Sequence, residues 1–378
     1  MKNNNMGQIG IMSVAHEGRP PFGKQTYFFE DMVKYCGLNP ERLFFFSPVE
    51  WNLEDELVCG YTFLNGKWKE IKREIPVILY DRAFSSDNDQ KLHLEECRKV
   101  LLSSGHHFMN SLELTALLNN KHVFHDFLGR NGIPTILANP FKVMEDRHFL
   151  NSLNLQKIYI KPIFGSKGEG IYVIKKDSDG YLLFDDKGNV TPVRDYTLLI
   201  DILKGRIKTE DYFVQPAAEI EQIHDAPFDI RVLVQNYGDR YEVTGKAVRI
   251  GKKNSMTSNL NAGGGAIPIS ELKDFFIQNY DTTITDLESQ IDKLCLECSE
   301  VLRNEYGEFC EIGFDVLITK DKGPIILEGN AKPSRWVFVK MADYLESQGK
   351  DNAYYLGRRK ETVSVPMIYA NYLSTYSE

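Results

Sequence analysis

The stretch Phe309 to Pro333, FCEIGFDVLITKDKGPIILEGNAKP, limits what the chain can fold into more than any other. Two apolar runs, Gly313–Thr319 and Pro324–Leu327, flank Lys320-Asp321-Lys322-Gly323, and a four-residue connection ending in Gly is a common hairpin geometry. Antiparallel pairing across it sets Thr319 opposite Pro324, Val316 opposite Leu327 and Asp315 opposite Glu328. Directly opposed side chains have Cβ atoms roughly 4.5–5.5 Å apart, where like charges repel unless something neutralises them. A cation is the simplest remedy. Strand alternation returns Asn330 to the face of Glu328. An Asp, a Glu and an amide oxygen make a hard, all-oxygen donor set that suits magnesium held jointly with phosphates. An edge hairpin with its acids turned to solvent would show the same pattern, so the hairpin alone leaves both readings open.

Composition narrows the classes. A chain of 378 residues has room for two or three domains, each with its own core. Hydrophobic residues at 42% and charged residues at 26% are the balance of a globular protein, not a disordered one. A net charge of −8 argues against a nucleic-acid partner. No apolar core follows Lys2, so no secretory signal is expected, and runs such as Leu43–Phe46 fall far short of the ~18 residues of a membrane span. Six cysteines spread over this length fit a reduced, cytoplasmic setting. The Cys295/Cys298 pair shares helical spacing with Ile291, Leu294, Val301 and Leu302, and reads as buried structural thiols.

Taken in order, Gln8–Val14 reads as a buried strand, Thr26 to about Tyr35 as a helix ended by Gly37, and Arg42–Phe46 as the next strand, the plan of a parallel α/β unit. Val58–Lys69 suggests a hairpin turning at Asn65-Gly66. Pro76–Tyr80 forms another strand, ending in Tyr80-Asp81-Arg82 where parallel sheets favour ligands; a helix cap with a surface ion pair is the other reading. Helices are expected over Lys91–Leu102 and Leu112–Leu128, with Lys121 in the middle of the second. Phe141–Leu153 reads as a helix and Lys157–Lys161 as a strand running into Phe164-Gly165-Ser166-Lys167-Gly168-Glu169-Gly170. Glycines at this density let backbone N–H groups approach an anion, although a plain β-turn would use them too. The strand that follows rules out the Walker and dinucleotide fingerprints. Further strands are expected at Tyr212–Gln215, Asp229–Asn236 and Tyr241–Ile250, with Asp229 and Arg231 on one face and Arg249 near an end. A second glycine-rich loop is Ser258–Gly265. Helices follow at Ser270–Tyr280, Asp286–Tyr306 and Trp336–Leu345. The histidines His106, His107, His122 and His125 have no shared metal spacing and read as surface or packing residues.

Lys121, Lys161-Pro162, Gly165–Gly170, Val214-Gln215, Asp229-Ile230-Arg231, Arg249, Asn259 with Gly263-Gly264, Asp315 and Glu328-x-Asn330 form an ordered set that resembles the ATP-grasp ligases, over about Lys121 to Pro333. FGKQTYFFEDMVKYCG, GYTFLNGKWKE, YDR and DIRVLVQ…GKAVRIG…SNLNAGGG extend the likeness to the spore-coat-associated YheC/YheD-like branch. The resemblance implies an α/β fold: an amino-terminal Rossmann-like domain over 1–110, a helical connection over 111–134, a mobile glycine-loop lid over 135–214 and a metal- and phosphate-binding part over 215–378.

It also implies roles. Lys121 and Lys161 would contact ATP phosphates, Gly165, Ser166, Lys167, Gly168 and Gly170 would close over them, Gln215 and Ala217 would border the adenine, and Glu221, in preference to Glu219, would hold the ribose. Asp315, Glu328 and Asn330 would hold magnesium, or manganese in its place. Arg231, Arg249 and Asn259 would hold the transferred phosphoryl group and the acyl substrate. From domain placement, Lys24, Tyr27, Tyr80 and Arg82 are expected to contact the substrate. The implied activity is ligation of a carboxylic acid, amino acid or peptide to an amine through an acylphosphate. A nucleotide-binding structural protein of the spore and a kinase are the alternatives. Partners would be small molecules, without nucleic acid or membrane and with a homodimer allowed. Relatives usually place a β-branched residue where Gly329 stands, so the strand is expected to bend there.

Overall fold

The computed structural model describes residues 7–16, 21–85, 87–146, 149, 156–165, 168–218, 221–223, 226–251, 265–279, 283–320 and 323–376. Among the described residues, three six-stranded sheets follow one another along the chain. The first holds β1 (Ile9–Met12), β2 (Leu43–Phe46), β3 (Val58–Leu64), β4 (Lys67–Arg73), β5 (Ile78–Asp81) and β6 (His107–Phe108) in the order β4-β3-β2-β1-β5-β6. Strands β2, β1, β5 and β6 are parallel, as expected of the continuously apolar runs Ile9–Met12 and Leu43–Phe46. The β3–β4 hairpin turns at Asn65 and Gly66, both at positive φ (52° and 74°), the conformation that an Asn-Gly turn supplies. Helix α1 (Thr26–Tyr35) buries Phe29, Met32 and Val33 against this sheet, and α2 (Asn88–Ser103) buries Leu94, Cys97 and Leu101 on its other side.

Two helices where the periodicity of 112–128 predicts one come next, α3 (Leu112–Asn119) and α4 (Lys121–Arg130). Asn120 breaks the run by adopting an extended backbone (φ −94°, ψ 93°) and capping Val123 N–H with its side chain. Lys121 is therefore the first residue of a helix, not a mid-helix residue. Its own N–H donates to Ile163 O at 3.1 Å, tying α4 to the second sheet.

The second sheet comprises β7 (Asn139–Pro140), β8 (Lys157–Pro162), β9 (Tyr172–Asp177), β10 (Gly180–Phe184), β11 (Val190–Val193) and β12 (Tyr212–Pro216), ordered β11-β10-β9-β8-β12-β7. From Phe141 the chain forms a 3-10 helix to Glu145, and most of the remainder of the helix expected over 141–153 lies outside the described residues. The third sheet has β13 (Gln222–Ile223), β14 (Ala226–Asn236), β15 (Tyr241–Ile250), β16 (Gly265–Ile267), β17 (Glu311–Thr319) and β18 (Gly323–Asn330), in the order β16-β15-β14-β17-β18 with β13 beside β14. One face, carrying Ile230, Val232, Phe314 and Val316, packs on α3, α4 and the helix Ile284–Tyr306 in the largest core. Cys295 and Cys298 are buried there as expected, with both thiols pushed up by burial.

The opposite face of that sheet carries Asp229, Arg231, Gln235, Arg249, Glu311 and Asp315 by strand alternation. Helix Trp336–Ser347 covers part of it through Val337, Phe338 and Met341. The last helix, Ala353–Tyr376, returns to the first domain, where Met367, Tyr369 and Ala370 join the core of α1 and β5. It also packs on β14, β15 and the helix Trp336–Ser347, so it bridges the third sheet and the first domain. Among the described residues no helix is long and apolar enough to cross a membrane.

Candidate active site

Strand register builds the site. Asp315 pairs directly with Glu328, and Gly313 with Asn330, so the two acids and the amide share one face as the sequence predicts. The route to that register differs from the expected one. Thr319 pairs with Gly323 rather than Pro324, leaving three residues between the strands, with Gly323 at φ 69°. The irregularity that compensates lies at Leu327, where β18 has one residue too many between the pairs Val316–Ile326 and Asp315–Glu328. The bend is thus two residues before Gly329. Gly329 has its own cause: a Cβ there would lie 2.6 Å from Leu118 Cδ2 and 3.1 Å from Phe124 Cζ, so only glycine lets β18 approach α3 and α4 this closely.

Asp315 lies between two guanidinium groups. Arg231 Nε donates to its Oδ1 at 2.6 Å and Arg249 Nη2 reaches its Oδ2 at 2.7 Å, while Asp229 takes the rest of Arg249 at 2.5 and 2.7 Å. Burial alone would raise the Asp315 carboxyl, but Arg231 and Arg249 hold it below the usual carboxylate range and keep it ionised. Glu328 faces Lys121, whose Nζ is 3.6 Å from Oε2. Asn330 donates Nδ2 to Gly313 O at 3.1 Å, which turns its Oδ1 away from that bond and leaves it to act as a donor atom for a cation.

This donor set suits magnesium. Among the described residues no three His, Cys, Asp or Glu side chains converge as a metal-holding group. Two carboxylates and an amide oxygen leave most of an octahedral shell to other oxygens, which is how magnesium is usually held beside phosphates.

Two lysines from different elements stand beside the paired acids. Lys161, on β8, donates Nζ to Gln215 Oε1 on β12 at 2.7 Å. Burial, with Lys121 nearby, pulls its pKa down to about 8 against the opposing pull of Glu328. Two ammonium groups near enough for one to lower the other's pKa are chemically suited to an anion between them. The glycine loop joins β8 to β9, and Gly165, Gly168 and Gly170 all adopt positive φ (134°, 78° and 73°), which accounts for glycine at each. Gly170 N–H is engaged by Asp186 Oδ2 at 2.6 Å. Ser166, Lys167, Glu219 and Asn259 lie outside the described residues.

Other expected site residues are placed differently. Gln215 is fully buried, and its side chain serves Lys161, His125 and Ile136 O. Ala217 N–H donates to Lys157 O at 3.0 Å, so it is not a spare donor for a base edge. Glu221 is largely buried and its N–H donates to Ile318 O. Lys24 and Tyr27 are exposed at the start of α1, where the intervening Gln25 reaches Ser13 Oγ and Arg82 O.

Tyr80 and Arg82 are only 3% and 5% exposed and do not line an open surface. Tyr80 donates to Glu311 Oε1 at 2.7 Å, and Arg82 reaches the same oxygen at 3.4 Å and Pro333 O at 3.1 Å. Arg335 closes on both Glu311 oxygens and Gln235 Nε2 donates to Oε2 at 2.9 Å. The guanidinium groups of Arg82 and Arg335 each lie 5.2 Å from the Phe28 ring. Pro366, inside the last helix, has no N–H to give Thr362 O four residues earlier; Gln235 at 2.9 Å and Arg335 at 3.0 Å satisfy that carbonyl instead. Glu311 thus joins β5, β14, β17 and the last helix, a junction that no local sequence signal announces.

A parallel α/β domain, a glycine-loop lid sheet, and an antiparallel sheet carrying paired acids opposite two lysines together define the ATP-grasp fold. The chain belongs to the YheC/D-like ATP-grasp family, whose model matches residues 103–373. Among similar proteins are the endospore coat-associated protein YheD of Bacillus subtilis (strain 168), 25% identical over 84% of this chain and 70% of that protein, and YheC of the same organism, 24% identical over 76% and 79%. Among solved structures, the D-cycloserine synthetase DcsG superposes with a TM-score of 0.54 over 94% of this chain and 99% of that one at 11% identity, a likeness of fold.

Proposed function

We propose that the chain is an ATP- and magnesium-dependent ligase that joins a carboxylic acid, amino acid or peptide to an amine through an acylphosphate. The observation that carries this reading is the Asp315–Glu328 pair on one sheet face, with Arg231 and Arg249 on one side and Lys121 3.6 Å away on the other. Lys121, Lys161 and the amides of Gly165, Gly168 and Gly170 bind the nucleotide phosphates. Asp315, Glu328 and Asn330 hold magnesium, which when bound neutralises charge that develops between the phosphates.

A substrate carboxylate oxygen attacks the terminal phosphorus and the bond to the bridging oxygen of ADP breaks. Arg231 and Arg249, with Asn259, orient the phosphoryl group in flight. The amine nitrogen then attacks the acyl carbon, inorganic phosphate leaves, and the amine loses a proton. Phosphoryl transfer of this kind asks for positioning and positive charge rather than a protein nucleophile, and the site supplies both. The Gly170–Asp186 contact at 2.6 Å fits a lid whose amides exchange a protein carboxylate for phosphate oxygens when nucleotide arrives.

The test is mass spectrometry of products from protein, ATP, magnesium and pooled amino acids and dipeptides. ADP, phosphate and a condensed product are expected. A phosphorylated acid without condensation would make the protein a kinase, and ATP binding without turnover would make it a nucleotide-binding structural protein.

A further inference from the structure

His125 has no place in the chemistry above, yet it sits at the centre of a buried polar chain that joins the lid sheet to the metal strand. It lies one turn along α4 from Lys121, and at 2% exposure it is sealed from water. Gln215 Nε2 is 3.1 Å from His125 Nε2 and 2.8 Å from Ile136 O, while Gln215 Oε1 accepts from Lys161. On the other side His125 Nδ1 is 2.8 Å from Thr135 Oγ1, and Thr135 Oγ1 donates to Ile326 O at 2.7 Å, two residues before Glu328.

Donor counting fixes the direction of every bond. Gln215 Oε1 faces an ammonium, so the amide nitrogen faces His125 and spends its two hydrogens on Ile136 O and His125 Nε2. Nε2 must then be an acceptor. The remaining imidazole hydrogen is on Nδ1 and goes to Thr135, whose own hydrogen goes to Ile326 O. An imidazolium would set a second N–H against the Gln215 amide. The surroundings forbid that state as well: burial first, then Lys161, Lys121 and His122, push the pKa down to about 3.

We propose that His125 is a positioning residue of the nucleotide site: a neutral Nδ1–H imidazole that holds Gln215 so its carbonyl fixes Lys161, and that ties this pair through Thr135 to the strand carrying Glu328. The phosphate-binding ammonium on β8 and the metal-binding carboxylate on β18 are thereby held in register across two sheets. This inference rests on the ATP site proposed above.

Two measurements on the full-length protein test it. Long-range 15N–1H NMR of the wild type is expected to show His125 as the neutral Nδ1–H tautomer from pH 6 to 8; an Nε2–H tautomer or an imidazolium would overturn the wiring. Calorimetric titration with Mg·ADP is expected to show His125→Phe, which keeps the ring volume but orphans the Gln215 amide, weakening affinity about tenfold, with His125→Gln recovering to within about threefold of wild type. In a Lys161→Met background the same His125→Phe change is expected to cost less than about twofold, because its effect runs through Lys161. Full additivity, or unchanged affinity in His125→Phe, would overturn the inference while leaving the ATP reading intact. A wild-type protein that binds no ADP would overturn both.

Discussion

Strand β17 carries two carboxylates four residues apart, on the same face, each between two arginines. Asp315 is held by Arg231 and Arg249; Glu311 is held by Arg82 and Arg335. The chemistry is the same and the positions are not. The arginines of Asp315 come from its own sheet, Arg231 from the adjacent strand β14 and Arg249 from β15 one strand further, and its other neighbour is Glu328, a carboxylate that it can endure only beside positive charge. The arginines of Glu311 come from the first domain and from the segment after β18, with Tyr80 and Gln235 completing a closed shell. An arginine–carboxylate cluster therefore says little about function until one asks whether its members have valence left over. Glu311 has spent its capacity on joining domains. Asp315 takes three contacts from its two arginines, while among the described residues Glu328 meets only Lys121, at 3.6 Å, and Asn330 spends only its Nδ2, on Gly313 O.

Breaking the two clusters should give different signatures. Glu311→Gln removes the charge between two buried guanidinium groups, and loss of one partner from such a pair costs about 3–5 kcal/mol. The expected outcome is a large fall in stability by chemical denaturation. At Glu311 burial would raise the carboxyl, but Arg335 and Arg82 hold it below its ordinary range. Its contribution to stability is thus present at neutral pH and is lost as pH falls through the lowered folded-state value, because only then does the native carboxyl take up a proton. Asp315→Asn should cost less stability, because Arg249 keeps its pair with Asp229, and its dominant effect should be product formation reduced about 10²–10³-fold, the scale on which a charge-stabilising group acts.

Smaller changes sharpen the contrast. Gly329→Ala forces a methyl against Leu118 and Phe124 and should cost about 1 kcal/mol by displacing β18 from α3 and α4, read as a shifted denaturation midpoint. A pH series on Mg·ADP binding reports on Lys161, whose ammonium is depressed to about 8 in the free protein. Only the protonated lysine attracts phosphate, so affinity should weaken as pH rises above 8, by at most about tenfold per pH unit, with proton uptake on binding. Lys161→Met should flatten that profile. A profile unchanged by the substitution would remove Lys161 from the phosphate site.

The geometry of the candidate site's hairpin was largely legible in the sequence because its parts are short-range. Strand alternation places Asp315, Glu328 and Asn330 on one face within a single hairpin, and positive-φ glycines mark the lid loop wherever it sits. Even the Asp315–Glu328 pairing could be foreseen, although a shorter loop and a compensating irregularity at Leu327 produce it. What was hidden depends on partners far away in sequence. Glu311 is 231 residues from Tyr80 and 229 from Arg82, and nothing near it marks it as different from any strand acid. His125 looked like packing because its partners Gln215 and Thr135 meet it only after the lid sheet docks. The break at Asn120 was masked by an apolar period that runs through both α3 and α4. Pro366 stands inside a helix because the carbonyl it orphans is satisfied by Arg335 and Gln235 from outside.

The central claim is that the Asp315 cluster, with Glu328 and Asn330 beside it, is the magnesium end of a working ligase site. Mass spectrometry of wild type and Asp315→Asn, each incubated with ATP, magnesium and pooled amino acids and dipeptides, tests it most directly. A condensed product formed with ADP and phosphate by the wild type and lost in the variant is the predicted result. Equal product from both proteins, or none from a wild type that binds ATP, would contradict it.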